Sequence, residues 1–393
     1  MQKRKLLFVA EELALNGAMN SLIALLRALP RENYDISLFL FDHSGEMMDK
    51  LPKDIHLLPE IIEYSVHRLP AKQAIYKAIK NNRIDLFFYR LLVSFQRRVS
   101  CAYKLWRWLP EITSYYDVVI SYSDGFAAPM INKKVKYGKK CCWVHFPYTN
   151  VPLHSYEYDA LKKADACAVV SYTVGKELEA VLESKLENMY VIHNIINAEL
   201  CITKATENCE IPIREGVKRI VSVGRLTPAK GFDMICSIAT ILLEKGINFE
   251  WYILGNGEDL EKLRLQAVDM NVEQCVHFIG NKDNPMPWMK LSDVIVQPSI
   301  FESWGMTVSE ALCLGKAVVT SDLPVFKEQI SDGLNGLISP LEPQAMAEAI
   351  YKILSDEEFK HFLENNASSY PFTQERVILE FNIMIRDILG SNN

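Results

Sequence analysis

Glu302 and Glu310 stand eight positions apart in Phe301-Glu302-Ser303-Trp304-Gly305-Met306-Thr307-Val308-Ser309-Glu310-Ala311-Leu312, across a glycine-containing turn that leads into a helix. An ionised carboxylate only accepts hydrogen bonds, so two of them at this spacing suit a ligand rich in hydroxyls. The apolar run Val294–Val296, closed by Gln297-Pro298-Ser299, reads as a buried strand ending in a loop. Strand, loop and helix in that order place Glu302 at the strand's exit. Glu310 falls about one turn inside the helix, where a ribose diol is its natural guest. The first backbone N–H groups of that helix, assigned to Thr307, Val308 and Ser309, face the same edge and favour an anion.

A second element lies upstream, in Arg219-Ile220-Val221-Ser222-Val223-Gly224-Arg225-Leu226-Thr227-Pro228-Ala229-Lys230-Gly231-Phe232. The β-branched run is a strand, Gly224 permits a sharp departure, and Phe232 to Lys245 carries apolar residues at helical spacing. Arg225 and Lys230 flank one short loop. The planar fork of the first matches phosphate oxygens, and the compact charge of the second can follow a leaving group, so together they suit a diphosphate. Such residues in loops are commonly solvated charges. Their place beside Gly224 and Gly231, at the end of a strand aimed at the same edge, favours phosphate.

Gly224-Arg225-Leu226 with Lys230-Gly231, then Leu254-Gly255-Asn256-Gly257-Glu258, then Glu302 and Glu310 with Ala311, resemble in order and spacing the donor half of the retaining glycosyltransferases of family 4 (glycosyl transferases group 1). The three motifs fall within about residues 219 to 340, and weaker similarity extends over most of the remainder. The resemblance implies an α/β protein of GT-B architecture, two facing Rossmann-like domains with an interdomain cleft. It implies transfer of a sugar from a nucleotide diphosphate donor with retained configuration. Glu302 then contacts hydroxyls of the donor sugar, Glu310 the ribose, and Arg225 with Lys230 the diphosphate. UDP-sugars are the donors most frequent in the family, ahead of GDP-mannose.

His145 follows the apolar run Cys141–Val144 and projects from a strand end. A lone histidine is more often structural than catalytic. The family commonly sets one here against the donor sugar, where it steadies charge near the anomeric centre. Gly17 falls in the first strand-to-helix loop, where a Rossmann-like domain approaches its ligand. The family often has two adjacent glycines there, whereas this chain has Gly17-Ala18. Gly255 and Gly257 permit a tight turn beside the nucleotide, and Glu258 reads as a helix-start residue. Tyr148 suits packing as well as substrate contact, and Asn194 suits capping or a cleft role.

The 393 residues are 49% hydrophobic, ample for two cores, and 17 Gly with 17 Pro exclude a fibrous or disordered class. No run approaches the ~18 apolar residues of a membrane span, and Glu11-Glu12 break the only signal-like start. Nine cysteines without a Cys-x-x-Cys pair indicate reduced, buried thiols and a cytoplasmic setting. The eight histidines are scattered, and no Asp-x-Asp triplet offers a divalent ion a seat. No metal or cofactor is expected beyond the nucleotide-sugar co-substrate.

Charge divides the chain. Residues 1–200 hold 26 Lys+Arg against 22 Asp+Glu, and the remainder 17 against 27. Most of the basic excess lies in 76–108, where Lys77, Lys80, Arg83, Arg90, Arg97, Arg98, Lys104 and Arg107 interleave with Phe87, Phe88, Tyr89, Phe95, Tyr103, Trp106 and Trp108. Such a segment suits an anionic membrane surface. The same composition fits RNA phosphates or, through its apolar stretch, an ordinary core. The donor motifs tip the choice toward a membrane and against nucleic acid, with a glycan or polyprenyl-linked lipid acceptor. The expected setting is cytoplasmic, peripheral on the inner face of the cell membrane, in bacterial surface-polysaccharide or glycolipid synthesis.

Short apolar strands alternate with amphipathic helices throughout, which predicts mainly parallel sheets. The strands fall at Leu6–Ala10, Ile36–Phe41, Val118–Ile120, Cys141–Val144, Ala166–Val170 and Tyr190–Ile192, then Ile220–Val223, Phe249–Leu254, Val276–Phe278, Val294–Val296 and Ala317–Thr320. A helix follows Gly17 from about Asn20 to Leu29. The polar stretch ahead of Pro212 places the break between His193 and Ile213, giving an acceptor-binding domain over 1–200 and a donor-binding domain over 201–371. By analogy with GT-B proteins, a helix within 372–393 packs back on the first domain. Rival readings are an epimerase or phosphorylase on the same scaffold, which acceptor-dependent nucleotide release separates, or a silent partner subunit, which absence of nucleotide binding separates.

Overall fold

The computed structural model describes residues 3–98, 109–123, 125, 127–146, 148, 155–209, 211–212, 214–367 and 373–390. Two parallel sheets are built, each interleaved with helices. The first contains β1 (Arg4–Ala10), β2 (Tyr34–Leu40), β3 (His56–Leu57), β4 (Ile112–Ser121), β5 (Val135–Val144), β6 (Ala166–Val169) and β7 (Met189–Val191), in the order β3-β2-β1-β4-β5-β6-β7. The second contains β8 (Lys218–Val223), β9 (Phe249–Leu254), β10 (Val276–Gly280), β11 (Val294–Gln297), β12 (Val318–Ser321) and β13 (Leu337–Ser339), in the order β10-β9-β8-β11-β12-β13. Both orders reverse direction beside their first strand. That reversal parts the loops following β1 and β4, and those following β8 and β11, which is where open α/β sheets take ligands.

The strands are near-continuous apolar runs because both faces of each sheet are covered. In the second sheet Ile220, Val294, Val296 and Val319 pack with Ile238 and Met346 on one face. Val221, Ile295 and Val318 pack with Trp304, Val308 and Phe326 on the other.

The chain forms two compact units, one of Met1–Val170, Val174–His193 and Val377–Asn393, the other of Ser171–Thr173 with Asn194–Arg376. The chain passes from one unit to the other at His193/Asn194, at the near end of the span from His193 to Ile213. The helix Ala198–Lys204 packs on the helices Met286–Leu291 and Met306–Cys313, and Ile196 and Cys201 share a cluster with Trp288 and Leu312. The last helix, Gln374–Leu389, lies on the first sheet. Phe381 stacks over Phe8 at 6.3 Å and meets Tyr34 edge-on at 6.0 Å, while Tyr34 Oη donates to Asn382 at 2.6 Å.

The strands β3 and β13 were not anticipated, and β4 and β5 begin earlier than their apolar runs, where Tyr115, Lys136 and Tyr137 leave no hydrophobic pattern. The first helix spans Gly17–Ala28, so Gly17 is its first residue rather than a turn ahead of it.

Candidate active site

The site residues of the second unit are assembled by backbone that only glycine permits. At the exit of β8, Gly224 donates to Leu254 O at 3.0 Å, and Leu226 donates to Asn256 O at 2.9 Å. The loop after β9 thus lies directly on the loop after β8. A Cβ at Gly255 would fall 1.8 Å from Gly224 O, and one at Gly257 would fall 2.1 Å from Leu226 O. Both glycines are therefore required by the close approach.

The turn Pro228–Lys230 ends at Gly231, whose φ of +64° is left-handed and whose Cβ would meet Pro298 O at 1.9 Å. Ala229 O accepts from the N–H groups of Ile300 at 2.9 Å and Phe301 at 3.0 Å. These two bonds fasten the turn to the loop following β11. Lys230 consequently lies beside Glu302, with Nζ 2.5 Å from Oε1. Ser299 Oγ donates to the same oxygen at 3.1 Å, Gln297 Nε2 donates to Ser299 Oγ at 3.0 Å, and Ser321 Oγ holds Ser299 O at 2.6 Å. Gln297 and Ser299 were not expected in this role, although both stand in the tripeptide that closes the strand. Arg225 is exposed and has no ion-pair partner among the described residues.

Gly305, at φ +88°, starts the helix Met306–Cys313. Thr307 Oγ1 donates to Val223 O at 3.2 Å, which ties the helix start to the exit of β8. The N–H groups of Val308 and Ser309 are already taken by Gly305 O, at 2.9 and 3.3 Å. The free donors are those of Met306 and Thr307, and the assignment of Val308 and Ser309 as anion donors is corrected accordingly. Positive potential at this helix start faces the loop that carries Arg225.

Glu310 is half-buried against the helix Ala198–Lys204. Burial pushes its carboxyl up to about 7, and the Lys204 ammonium partly offsets that rise. The same carboxylate raises the nearby thiols of Cys201 and Cys313, whose own burial is the larger cause. Lys204, whose charge acts on Glu310, is an addition to the residues expected in the site.

In the first unit, His145 closes β5. Its Nε2 lies 2.9 Å from Tyr122 O, its ring lies 4.5 Å from that of Tyr122, and Nδ1 has no partner among the described residues. Burial brings its pKa down to about 4. The imidazole is neutral at pH 7, with Nε2–H donating to the carbonyl and Nδ1 left as an acceptor. Any contact this side chain makes near a donor sugar is therefore made as a neutral imidazole. Gly17 follows Asn16, whose side chain accepts from Met19 N at 3.0 Å and caps the helix. Tyr148 and Asn194 are buried.

The basic aromatic stretch forms the helices Ala71–Lys80 and Ile84–Arg98, packed on one another. Residues 99–108, with Tyr103, Lys104, Trp106, Arg107 and Trp108, and the side chains of Phe95, Arg97 and Arg98 lie outside the described residues. Leu86 and Tyr89 face the core. Several basic residues expected at the surface are engaged instead: Lys77 pairs with Asp42 and Glu60, Arg83 with Glu63 and Asp85, and Arg90 is buried. The outer face exposes Tyr76, Ile79, Ile84, Phe88, Leu91 and Leu92, with Lys72 and Lys80 among them. Among the described residues no helix is long and apolar enough to cross a membrane, and no group of three or more His, Cys, Asp or Glu is placed to hold a metal ion.

Two family models cover nearly the whole chain. The one described as Glycosyl transferases group 1 matches residues 204–370, and the one described as Glycosyltransferase Family 4 matches residues 15–200. This chain belongs to that glycosyltransferase family, with the GT-B fold. The uncharacterized glycosyltransferase MJ1607 of Methanocaldococcus jannaschii is 30% identical over 226 residues, 55% of this chain and 57% of that protein. The poly(ribitol-phosphate) alpha-N-acetylglucosaminyltransferase of Staphylococcus aureus is 22% identical over 266 residues, 65% of this chain and 52% of that one. The chain thus spans a little over half the length of such relatives. Among solved structures, Anabaena Alr3699/HepE in complex with UDP matches over 97% of this chain and 99% of its own, with TM-score 0.70 and 16% identity. A glycosyltransferase from Rickettsia africae matches over 100% of both chains, with TM-score 0.72 and 15% identity.

Proposed function

We propose that the protein is a retaining, metal-independent hexosyltransferase. It moves a sugar from a UDP-sugar to a glycan or lipid-linked acceptor in surface polysaccharide or glycolipid synthesis. The observation that carries this reading is the convergence of Lys230, Glu302, free Arg225 and the start of the helix Met306–Cys313 on the ends of β8 and β11. The UDP complex of the Anabaena relative and the N-acetylglucosaminyl transfer named for the Staphylococcus relative support the choice of donor and acceptor class.

In the reaction the bond from the anomeric carbon to the diphosphate oxygen breaks and negative charge gathers on that oxygen. Arg225, Lys230 and the N–H groups of Met306 and Thr307 stabilise it as fixed positive potential, the logic of an oxyanion hole. No divalent ion is required. Glu302 accepts from hydroxyls of the sugar and Glu310 from the ribose, while His145 contributes a neutral acceptor. Retention without a carboxylate nucleophile proceeds by front-face attack, the leaving phosphate taking the acceptor's proton. The exposed apolar line from Tyr76 to Leu92, with Lys72 and Lys80, rests on an anionic membrane surface that presents the acceptor.

The test is acceptor-dependent release of nucleoside diphosphate across a panel of nucleotide sugars, with membrane extracts as acceptor source and EDTA present. NMR of the product gives the anomeric configuration. Nucleotide release that needs no acceptor, or activity abolished by EDTA, contradicts the reading.

A further inference from the structure

Glu302 is bonded unevenly. Its Oε1 takes Lys230 Nζ at 2.5 Å and Ser299 Oγ at 3.1 Å, whereas Oε2 has no partner among the described residues. The side chains of Lys230 and Glu302 are only 21% and 10% exposed, so little water competes for either. Arg225, on the same loop, is exposed and unpaired among the described residues. A diphosphate entering this edge therefore meets one free cation and one that is already neutralised.

We propose that the Lys230–Glu302 ion pair is exchanged on donor binding, so that the site discriminates the intact nucleotide sugar from the nucleoside diphosphate left after transfer. This rests on the donor-site reading above. Once Lys230 turns to phosphate, the half-buried carboxylate keeps only the Ser299 hydroxyl, which Gln297 and Ser321 hold in place. An under-bonded buried carboxylate is costly. A nucleotide sugar offsets that cost because its hydroxyls donate to Glu302, whereas a bare nucleoside diphosphate has none to offer there. After transfer the pair re-forms and displaces the product. Glu302 thus acts on product release as well as on sugar recognition, and Ser299 is a positioning residue that keeps the carboxylate aimed while its cation is away.

Calorimetry with UDP and UDP-glucose, or the corresponding pair that the donor panel selects, tests this on the full chain and its Glu302→Gln, Lys230→Met and double variants. Glu302→Gln is expected to bind the nucleoside diphosphate about fivefold more tightly than the native protein, as release of one competing half-buried pair allows. Its affinity for the nucleotide sugar does not rise in step, so discrimination collapses. In the Lys230→Met background the gain disappears, which separates exchange of this lysine from a general relief of negative charge. A Glu302→Gln protein that binds the nucleoside diphosphate no more tightly, or a gain that persists without Lys230, overturns the proposal while leaving the donor site intact. Failure of the native protein to bind either ligand overturns the donor-site reading and this proposal with it. If Glu302→Gln melts early, Glu302→Asp, whose shorter arm withdraws from Lys230, is expected to give the same gain.

Discussion

On the proposed donor site, proton binding at Glu310 is expected to make donor affinity depend on pH in a calculable way. The carboxyl is held at about 7 by burial, from an ordinary value of 4.5. Hydroxyls of a ribose diol donate to the ionised form, so binding requires deprotonation. With a pKa near 7, roughly one molecule in ten is ionised at pH 6 and nine in ten at pH 8, a difference worth about 1.4 kcal/mol. The affinity for a nucleotide sugar is therefore expected to rise about tenfold between pH 6 and pH 8 and to level off above. Glu310→Gln removes that rise and binds more weakly at pH 8. The nucleotide sugar is the right titrant because its phosphates are diesters, whereas a free nucleoside diphosphate carries a terminal phosphate that itself titrates near pH 6.

The same shift has a stability consequence of opposite sense. A carboxyl whose folded pKa exceeds its unfolded one favours the fold when protonated. That contribution is complete below about pH 4.5 and is lost as pH rises through 7. Without ligand, Glu310→Gln is expected to be more stable than the native protein at pH 8, by at most about 3 kcal/mol, and no more stable at pH 4. Calorimetric titration and thermal melting at matched ionic strength measure both. Native affinity that is flat from pH 6 to 8, or that rises equally in the glutamine variant, refutes the assignment of Glu310 to the ribose.

Lys230→Ala is expected to lower kcat by at least about tenfold at saturating donor, since one transition-state donor is worth a few kcal/mol; unchanged turnover counts against it. Gly255→Ala, which puts a methyl 1.8 Å from Gly224 O at a φ of +144°, is expected to cost at least about 2 kcal/mol of stability and to weaken donor binding; denaturant melts and calorimetry measure this. Tyr76→Ser with Phe88→Ser, both exposed side chains, is expected to abolish co-sedimentation with anionic vesicles while leaving turnover of a soluble acceptor unchanged. Native protein that does not sediment with such vesicles contradicts the membrane contact.

What could be read from sequence was whatever the backbone itself demands. Gly255, Gly257 and Gly231 are forced by carbonyl oxygens about 2 Å from where a Cβ would stand. A spacing of glycines around Arg225 and Lys230 therefore carries real information about which loops touch. Buried parallel strands were legible for a similar reason, since cover on both faces makes them uniformly apolar. The two-residue β3 and three-residue β13 are too short to show such a run. What escaped depends on which way a side chain faces and on what it meets from another loop. Whether Ser299 is a bland strand-end residue or the support of Glu302 is decided by Ala229 O, which draws Ile300 and Phe301 inward. Of the expected helix donors Thr307 keeps its place and Met306 joins it, because Gly305 O consumes the N–H groups of Val308 and Ser309.

Charge was the least legible property of all. Lys77, Arg83 and Arg90 count as basic in any composition, yet two are paired with carboxylates and the third is buried. Among the described residues the surface they leave is more apolar than basic. The proposed membrane contact is then expected to depend less on salt than the sequence suggests, because buried apolar area is unscreened while exposed charge is screened within a Debye length of about 8 Å at physiological ionic strength. Vesicle binding measured from low to high salt separates the two cases: a steep loss returns the weight to Lys72, Lys80 and their like, and a shallow one assigns it to the exposed rings and aliphatic side chains.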